Sequence, residues 1–334
     1  MNKDNLDTVI STRIRLARNL KDIPFKGRMT KEQKNDIKKR VEEAVINDKD
    51  YSFNYLDMEN VTNIQAGSMV EAHLISLELA NNKEGAGLIL SKDKSISIMI
   101  NEEDHLRIQL LGKGLKLYEL YEVADKLDDK LDSSLNFAFS DRLGYLTYCP
   151  TNLGTGLRAS VMMHLPALTE SGLINKVINF VSQMGLTVRG LYGEGTQPGG
   201  CIYQVSNQVS LGISEKETLT LLQDVVSQID GNEHVIRKKM MENIQIKDRI
   251  YRAYGILKEV RLLSSVEFTQ LLSDVRFGAT EGLIKVDIND LDNIFIEAQP
   301  YSLMLCGREA LEIQQRDVIR ADMVREVFNK ASNQ

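Results

Sequence analysis

The chain has 334 residues, more than one ordinary domain, and its 41 lysines and arginines against 47 aspartates and glutamates give a net charge of −6. This mild acidity leaves no overall basic field for nucleic acid or an anionic membrane, so phosphate binding would depend on local arginines. Three widely spaced cysteines argue against a disulfide framework or zinc site, and the absence of a long apolar run or signal peptide predicts a soluble, cytoplasmic protein.

The first two thirds of the chain mix predicted strands with predicted helices. Residues 9–20 begin with strand-like alternation, and residues 31–47 have helical spacing. Residues 87–100 predict two strands around a turn, residues 110–131 return to a helical period, and residues 186–212 read as short strands separated by glycines. This pattern predicts an α+β fold rather than a regular βαβ fold.

The composition changes after about residue 212. Residues 215–230 and 233–263 have long helical periods, and residues 310–330 form another amphipathic segment. The sequence therefore predicts two domains, an α+β domain over residues 1–235 and a mostly helical domain over residues 236–334.

Arginines recur where predicted strands begin or end. Arg13 and Arg15 lie at period two in Ser-Thr-Arg-Ile-Arg, so on a strand both side chains would project from one face. Taken alone, this pair is typical of a solvated strand edge, but Arg107, Arg158 and Arg189 accompany it. Guanidinium groups bind phosphate oxygens in a bidentate manner, so five arginines could hold a polyphosphate. The chain contains no Walker motif and no protein-kinase signature.

Two further segments contain residue types that could take part in binding or catalysis. One places Cys149 before a glycine turn and Arg158, where backbone amides and a guanidinium could approach an anion. The other is the acidic stretch from Asn101 to His105 after an apolar strand, for which a solvated loop is the plain alternative. For Cys149, the plain alternative is a small buried side chain.

Together these segments resemble, in order, the signature blocks of phosphagen (guanidino) kinases, which transfer the γ-phosphoryl group of ATP to a guanidinium nitrogen. The resemblance implies an antiparallel sheet flanked by helices, with His73 beside the nucleotide base. The implied nucleotide-binding residues are Ser11, Thr12, Arg13, Ile14, Arg15, His73, Arg107, Arg158, Ala159, Ser160, Val161, Met162, Arg189, Gly190, Leu191, Tyr192, Gly193 and Glu194.

The resemblance also implies the chemistry. A guanidinium is not nucleophilic until a carboxylate aligns it and accepts a proton, and Glu103 matches the family's catalytic glutamate. Cys149 would lie against the substrate guanidinium and polarise it. Mg²⁺ would bridge the ATP phosphates without a dedicated protein cage, and the transfer would be direct and in line.

Departures from small-guanidine kinases indicate a larger substrate. The first arginine motif lies near the start of the chain without the helical domain that precedes it in those enzymes, and Gln197 stands where their second carboxylate would fall. In the C-terminal part, Arg316, Asp317, Arg320 and Ala321 form Arg-Asp-x-x-Arg-Ala. This motif alone is typical of a salt-bridged solvent face, but the whole chain resembles bacterial protein-arginine kinases of the McsB type, in which it forms a phosphoarginine pocket.

That resemblance implies ATP-dependent phosphorylation of exposed arginines on proteins, in a stress response that marks them for a Clp chaperone-protease. A heat-shock repressor among the substrates, a zinc-binding activator protein and a homodimer are also implied, with no direct nucleic-acid or membrane partner. Two alternatives remain open: a kinase for a small guanidine such as free arginine, and a non-catalytic reader of phosphoarginine.

Overall fold

The computed structural model describes residues 6–46, 51–190, 199–307 and 311–332. Eight strands form one antiparallel sheet in the order β2-β3-β4-β5-β1-β8-β10-β9, and β6 pairs with β7 in a separate hairpin. The strands are β1 (Val9–Arg18), β2 (Asn54–Asp57), β3 (Gly87–Leu90), β4 (Ile96–Ile100), β5 (Leu106–Lys113), β6 (Phe139–Ser140), β7 (Gly144–Tyr145), β8 (Leu157–His164), β9 (Leu186–Gly190) and β10 (Ile202–Asn207).

Helices flank this sheet and make up most of the C-terminal third. They are α1 (Lys31–Val45), α2 (Asn63–Glu71), α3 (Leu77–Asn81), α4 (Leu117–Leu135), α5 (Pro166–Glu170), α6 (Ile174–Gln183), α7 (Glu215–Met240), α8 (Ile244–Glu259), α9 (Ser265–Thr280), α10 (Ile288–Glu297), α11 (Pro300–Gly307) and α12 (Ile313–Ser332). The α+β expectation is confirmed. Among the described residues, no helix combines the length and apolar character needed to cross a bilayer.

The two faces of the sheet have different roles because side chains alternate along each strand. Ile14 of β1 and Val161 of β8 are fully buried on the face covered by α1, α4, α6 and α7, where they join the main apolar core. Arg13 and Arg15 point to the opposite face, which remains partly open. The arginines thus project from one face of the sheet, and the other face packs against the apolar core.

The C-terminal helices enclose a second apolar core around Phe268, Phe277 and Phe328. Helix α7 is continuous through the predicted boundary at residues 235 and 236. Its Glu233 accepts hydrogen bonds from the amides of Ala167 and Leu168 at 2.9 and 2.8 Å. The α7 helix therefore packs on the sheet and also leads into the helical domain.

Most predicted elements match the structure. The helix predicted for residues 31–47 forms as α1 behind a capping box at Thr30, and the hairpin predicted for residues 87–100 forms as β3 and β4. The helix predicted from residue 110 was wrong at its start, because residues 110–113 complete β5 and α4 begins at Leu117. Strand β8 was not predicted, although it forms a central part of the sheet.

Candidate active site

The open face of the sheet brings the predicted arginines together. In the strand register, Arg15 lies opposite Arg158, Ala17 lies opposite Arg107, and Gln204 lies opposite Arg189. The guanidinium of Arg13 donates to the side-chain oxygen of Gln204 at 3.0 Å. Five neighbouring strands, β5, β1, β8, β10 and β9, therefore contribute to one cation-rich surface, which is an arrangement that suits a polyphosphate.

These arginines repel one another in a partly dehydrated setting. Burial, followed by the charges of Arg158 and Arg107, lowers the pKa of Arg13 to about 10. Burial and the charges of Arg13, Arg107 and Arg158 lower the pKa of Arg15 well below its ordinary value. The buried Nε of Arg15 has no hydrogen-bond partner within the described part of the chain. An anion bound here would relieve this repulsion, and such strained electrostatics are typical of functional sites.

The acidic stretch forms an ordered turn between β4 and β5. Arg107 donates to Glu102 at 2.8 Å and to Glu103 at 2.6 Å. Glu102 is buried, accepts from the Ser76 hydroxyl at 2.5 Å, and accepts from the Glu103 amide at 2.7 Å. Glu102 thus fixes the loop, whereas the partly exposed Glu103 side chain points its carboxylate at an arginine of the cationic surface.

Cys149 lies beside this turn because buried Asp104 joins the two segments. One oxygen of Asp104 accepts from the Tyr148 amide and from the Asn19 side chain, both at 2.7 Å. Burial raises the pKa of this carboxyl group. The Cys149 sulfur lies 3.0 Å from the Thr151 hydroxyl. The hydrogen bonds of Asp104 therefore help to set the position of Cys149 relative to Glu103.

The glycine turn corrects one expectation. Two of its amides are already paired within the fold, because the Gly154 amide donates to the Tyr145 carbonyl and the Thr155 amide donates to the Ser210 carbonyl. Gly154 and Gly156 have φ angles of +109° and +66°, which side-chain-bearing residues rarely adopt. The glycines allow the chain to turn tightly into β8, and Arg158, rather than the amides of Gly154 and Thr155, is the group that reaches the open face.

Glu103, Cys149, Arg15, Arg107 and Arg158 line one pocket of about 120 Å³. A small neighbouring pocket contains Arg13 and His73. Burial and the charge of Arg13 lower the pKa of His73 to about 4, so its imidazole is neutral at physiological pH. The structure therefore brings both proposed catalytic residues together with three arginines, and it places His73 at the other end of the row.

Several predicted nucleotide-binding residues turn away from this face. Thr12 is buried and donates to the Gly114 carbonyl at 2.7 Å, while Ile14, Ala159 and Val161 belong to the apolar core. Because strand side chains alternate, the residues of these two motifs that line the two pockets on the open face are Ser11, Arg13, Arg15, Arg158, Ser160 and Met162. The side chains of Thr12, Ile14, Ala159 and Val161 therefore lie away from the open face, and the assignment of these four residues to the nucleotide stays a prediction.

Some of the predicted residues cannot be placed. Arg189 and Gly190 end β9 next to β10. Leu191, Tyr192, Gly193, Glu194 and Gln197 lie outside the described residues.

The proposed phosphoarginine motif begins on the first turns of α12. Arg320 is buried and donates to the carbonyls of Ala298 and Leu263 at 2.9 and 2.7 Å and to Asp317 at 2.6 Å. Ala321 is also fully buried. Arg316 is half-buried, and its guanidinium contacts the Met304 sulfur at 3.8 Å. Arg320 thus holds the helical domain together, and Arg316 is the arginine of the pair that is better placed to meet a ligand.

Sequence reasoning missed Glu102, Asp104 and Gln204 as contributors to the site. Glu102 and Asp104 flank Glu103 in the same acidic stretch, so the local density of carboxylates was a usable signal. Gln204 lies in a strand with no distinguishing motif, and only the register next to β8 and β9 shows its position.

Comparison with known proteins agrees with this geometry. Residues 36–236 match the family model for the ATP:guanido phosphotransferase C-terminal catalytic domain, so the chain belongs to the ATP:guanido phosphotransferase family. Membership makes it a guanidino phosphotransferase that uses ATP. Residues 243–334 match the model for the protein-arginine kinase McsB C-terminal domain, and the resemblance to bacterial protein-arginine kinases is confirmed.

Similar full-length proteins support the same assignment. The protein-arginine kinase of Clostridium kluyveri is 47% identical over 332 residues, covering 96% of this chain and 95% of that protein. The protein-arginine kinase of Caldanaerobacter subterraneus subsp. tengcongensis is 44% identical over 329 residues, covering 97% and 98%.

Two solved structures show the same fold. Lombricine kinase superimposes with a TM-score of 0.63 at 25% identity, covering 70% of this chain and 68% of that one. The duplicated taurocyamine kinase from Schistosoma mansoni, with bound transition-state-analogue components, gives 0.63 at 26% identity and covers 78% and 38%.

Proposed function

We propose that this protein transfers the γ-phosphoryl group of ATP to arginine side chains of other proteins. The observation that carries the proposal is the pocket in which Glu103 and Cys149 lie among Arg15, Arg107 and Arg158. A carboxylate that could receive a proton therefore faces a surface that could hold the transferring phosphate. The names of the full-length relatives favour arginine on proteins as the acceptor.

In the proposed reaction, the arginine surface holds the triphosphate and the acceptor guanidinium lies between Glu103 and Cys149. Glu103 now pairs with Arg107. When a nucleotide binds, we expect Arg107 to turn to its phosphates and Glu103 to bind the incoming guanidinium. A nitrogen–phosphorus bond then forms, the bond from the γ-phosphorus to the bridging oxygen breaks, Glu103 receives the guanidinium proton, and ADP leaves.

Mg²⁺ would be carried by the nucleotide. Of the carboxylates beside the arginine surface, buried Glu102 pairs with Arg107, and Glu103 is assigned to the acceptor guanidinium. Because Mg²⁺ commonly keeps its waters and binds substrate phosphates, it needs few protein ligands. Bound there, it would neutralise charge between the phosphates, and we assign no residue of this chain to it.

A protein acceptor also suits the surroundings of the pocket. Tyr148, which precedes Cys149, is 54% exposed, and its ring contacts the 38% exposed Phe25 edge-on at 6.4 Å. Exposed aromatic rings beside a pocket are typical of surfaces that bind a polypeptide. A small guanidine would gain little from them.

The test is incubation of the purified protein with Mg-ATP and either casein or free L-arginine, followed by phosphosite mass spectrometry under non-acidic conditions. We expect phosphoarginine on casein, and a loss of about 10²-fold or more in kcat for Glu103→Gln. The exposed Glu84→Gln is the matched control. Labelling of free arginine alone would instead identify a small-guanidine kinase, and no product on either acceptor would point to an activator requirement or to the non-catalytic reader.

The wider biological role is also part of the proposal. By the resemblance, the protein would act in the cytoplasm as a homodimer, respond to a zinc-binding activator protein, and mark proteins for a Clp chaperone-protease, with a heat-shock repressor among its substrates. Arg316 and Asp317 would contribute to a phosphoarginine site. Light scattering that detected only monomer would contradict the dimer.

A further inference from the structure

A second, larger cavity lies where the helical domain meets the sheet. It measures about 260 Å³ and contains Ser11, His73 and Met162 from the open face of the sheet. Its opposite wall comes from α9 and α10. The apolar side chains of that wall are Leu272, Leu291, Phe295 and Ile296.

This cavity continues into the arginine surface. It shares Ser11, His73 and Met162 with the small pocket that also contains Arg13. Along β1, Ser11 is four residues from Arg15, or about 13 Å at the usual rise of a strand. The open face therefore has an apolar cavity at one end and the pocket of Glu103 at the other, joined by arginines.

The helical wall is held in place by polar contacts. Ser273 of α9 lies 2.8 Å from the ring of buried His164 on β8, and Asn293 of α10 accepts from Lys113 of β5 at 2.8 Å. Arg276 of α9 donates to Asp292 of α10 at 2.9 Å. These contacts connect the two helices to each other and to two strands, so the cavity exists only while the helical domain is docked.

We propose that α9 and α10 form one wall of the nucleobase site, with Phe295 as its main apolar contact. An apolar cavity joined to a row of cations suits a ligand with a flat base and a polyphosphate tail. The match to the ATP:guanido phosphotransferase catalytic domain ends at residue 236, so α9 and α10 lie outside the segment that matches this family. The inference rests on the proposed function for the identity of the nucleotide, and it makes nucleotide affinity depend on the docked helical domain.

The experiment compares two ligands by calorimetry on the full chain: Mg-ATP and Mg-tripolyphosphate, which has the phosphate tail without a base. Phe295→Ala should raise the Kd for ATP about tenfold, or about 1.4 kcal/mol, and leave the Kd for tripolyphosphate unchanged. Phe295→Leu retains an apolar side chain and should raise the ATP Kd less. It serves as the conservative variant in case Phe295→Ala misfolds. The matched control is Val266→Ala on α9, because Val266 is 79% exposed and does not line the cavity.

The outcomes separate the two proposals. An unchanged ATP Kd in Phe295→Ala would overturn the wall and leave the kinase proposal intact. An equal rise for both ligands would also overturn it, because it would indicate general misdocking rather than loss of contact with a base. Failure of the unmodified protein to bind ATP at all would remove the proposed function itself.

Discussion

In the Arg-Asp-x-x-Arg-Ala motif of α12, we expect Arg320 to stabilise the fold and Arg316 to bind phosphoarginine. Arg320 is 1% exposed and forms an ion pair with Asp317. It also donates hydrogen bonds to the carbonyls of Ala298 and Leu263. Arg320→Ala would leave a carboxylate without its partner and two carbonyls without this donor. Breaking a buried ion pair in this way costs about 3–5 kcal/mol.

Arg316→Ala is the matched variant. Arg316 is half-buried, and its weak contact to the Met304 sulfur at 3.8 Å contributes little. We expect a change in the free energy of unfolding within about 0.5 kcal/mol, as for most surface substitutions. The same variant should weaken phosphoarginine binding about tenfold, because a charged hydrogen bond contributes about 1.5–3 kcal/mol.

Urea unfolding followed by circular dichroism measures the difference in unfolding free energy between Arg320→Ala and Arg316→Ala. With an m value of about 1–3 kcal/mol/M, Arg320→Ala should lower the midpoint of the helical domain by about 1 M or more. Arg316→Ala should leave that midpoint in place. Equal midpoints for the two variants would refute the structural role of Arg320, and unchanged phosphoarginine affinity in Arg316→Ala would refute its role as a ligand.

Three further changes have defined outcomes. Cys149→Ser should lower kcat about tenfold, equivalent to about 1.4 kcal/mol, and leave the KM for ATP unchanged; an unaltered kcat would remove the catalytic role. Gly67→Ala should destabilise the fold by about 1–3 kcal/mol, because the new methyl group would overlap the Tyr301 ring, and thermal unfolding that matched the unmodified protein would contradict this packing. Burial, followed by the charges of Arg276 and Arg237, lowers the pKa of His164 well below its ordinary value, so the unfolded chain binds the extra proton. Stability should therefore fall as the pH drops below about 6.5, with a slope of up to about 1.4 kcal/mol per pH unit from this group; His164→Gln should flatten the urea-midpoint profile between pH 5 and 6.5, and an unchanged profile would contradict the assignment.

The local sequence was sufficient for much of the fold. Residues 9–18 alternate between core and open-face side chains, so Arg13 and Arg15 were predicted on one face of a strand, and β1 confirms it. Residues 87–100 contain their own turn, and residues 31–45 have a helical period behind the capping box that Thr30 forms with Gln33. Such features depend on neighbours in the chain, and for that reason they can be read without a tertiary structure.

Motif matching assigned whole segments to the nucleotide, but the side chains of a strand alternate between the two faces of the sheet, so only some of each segment's side chains reach the open face. Ser11 and Arg13 reach the open face, whereas Thr12 and Ile14 lie on the other side of the sheet. A motif identifies which stretch of chain is involved, but the direction of each side chain follows from the strand that contains it. The strand at residues 157–164 was not predicted, and the same division could not be made there.

Long-range pairing decided the rest. Gln204 joins the arginine surface only through the register of β10, and Asp104 fixes the turn before Cys149 only through contacts distant in sequence. Arg320 is held in its buried position by the carbonyls of Ala298 and Leu263, which belong to two other segments. The sequence by itself determined which residues carry charge, turn or alternate, since these are properties of short segments. The tertiary structure alone decided which charges face one another, which are buried, and where the helical domain closes a cavity, because those depend on contacts between residues far apart in the chain.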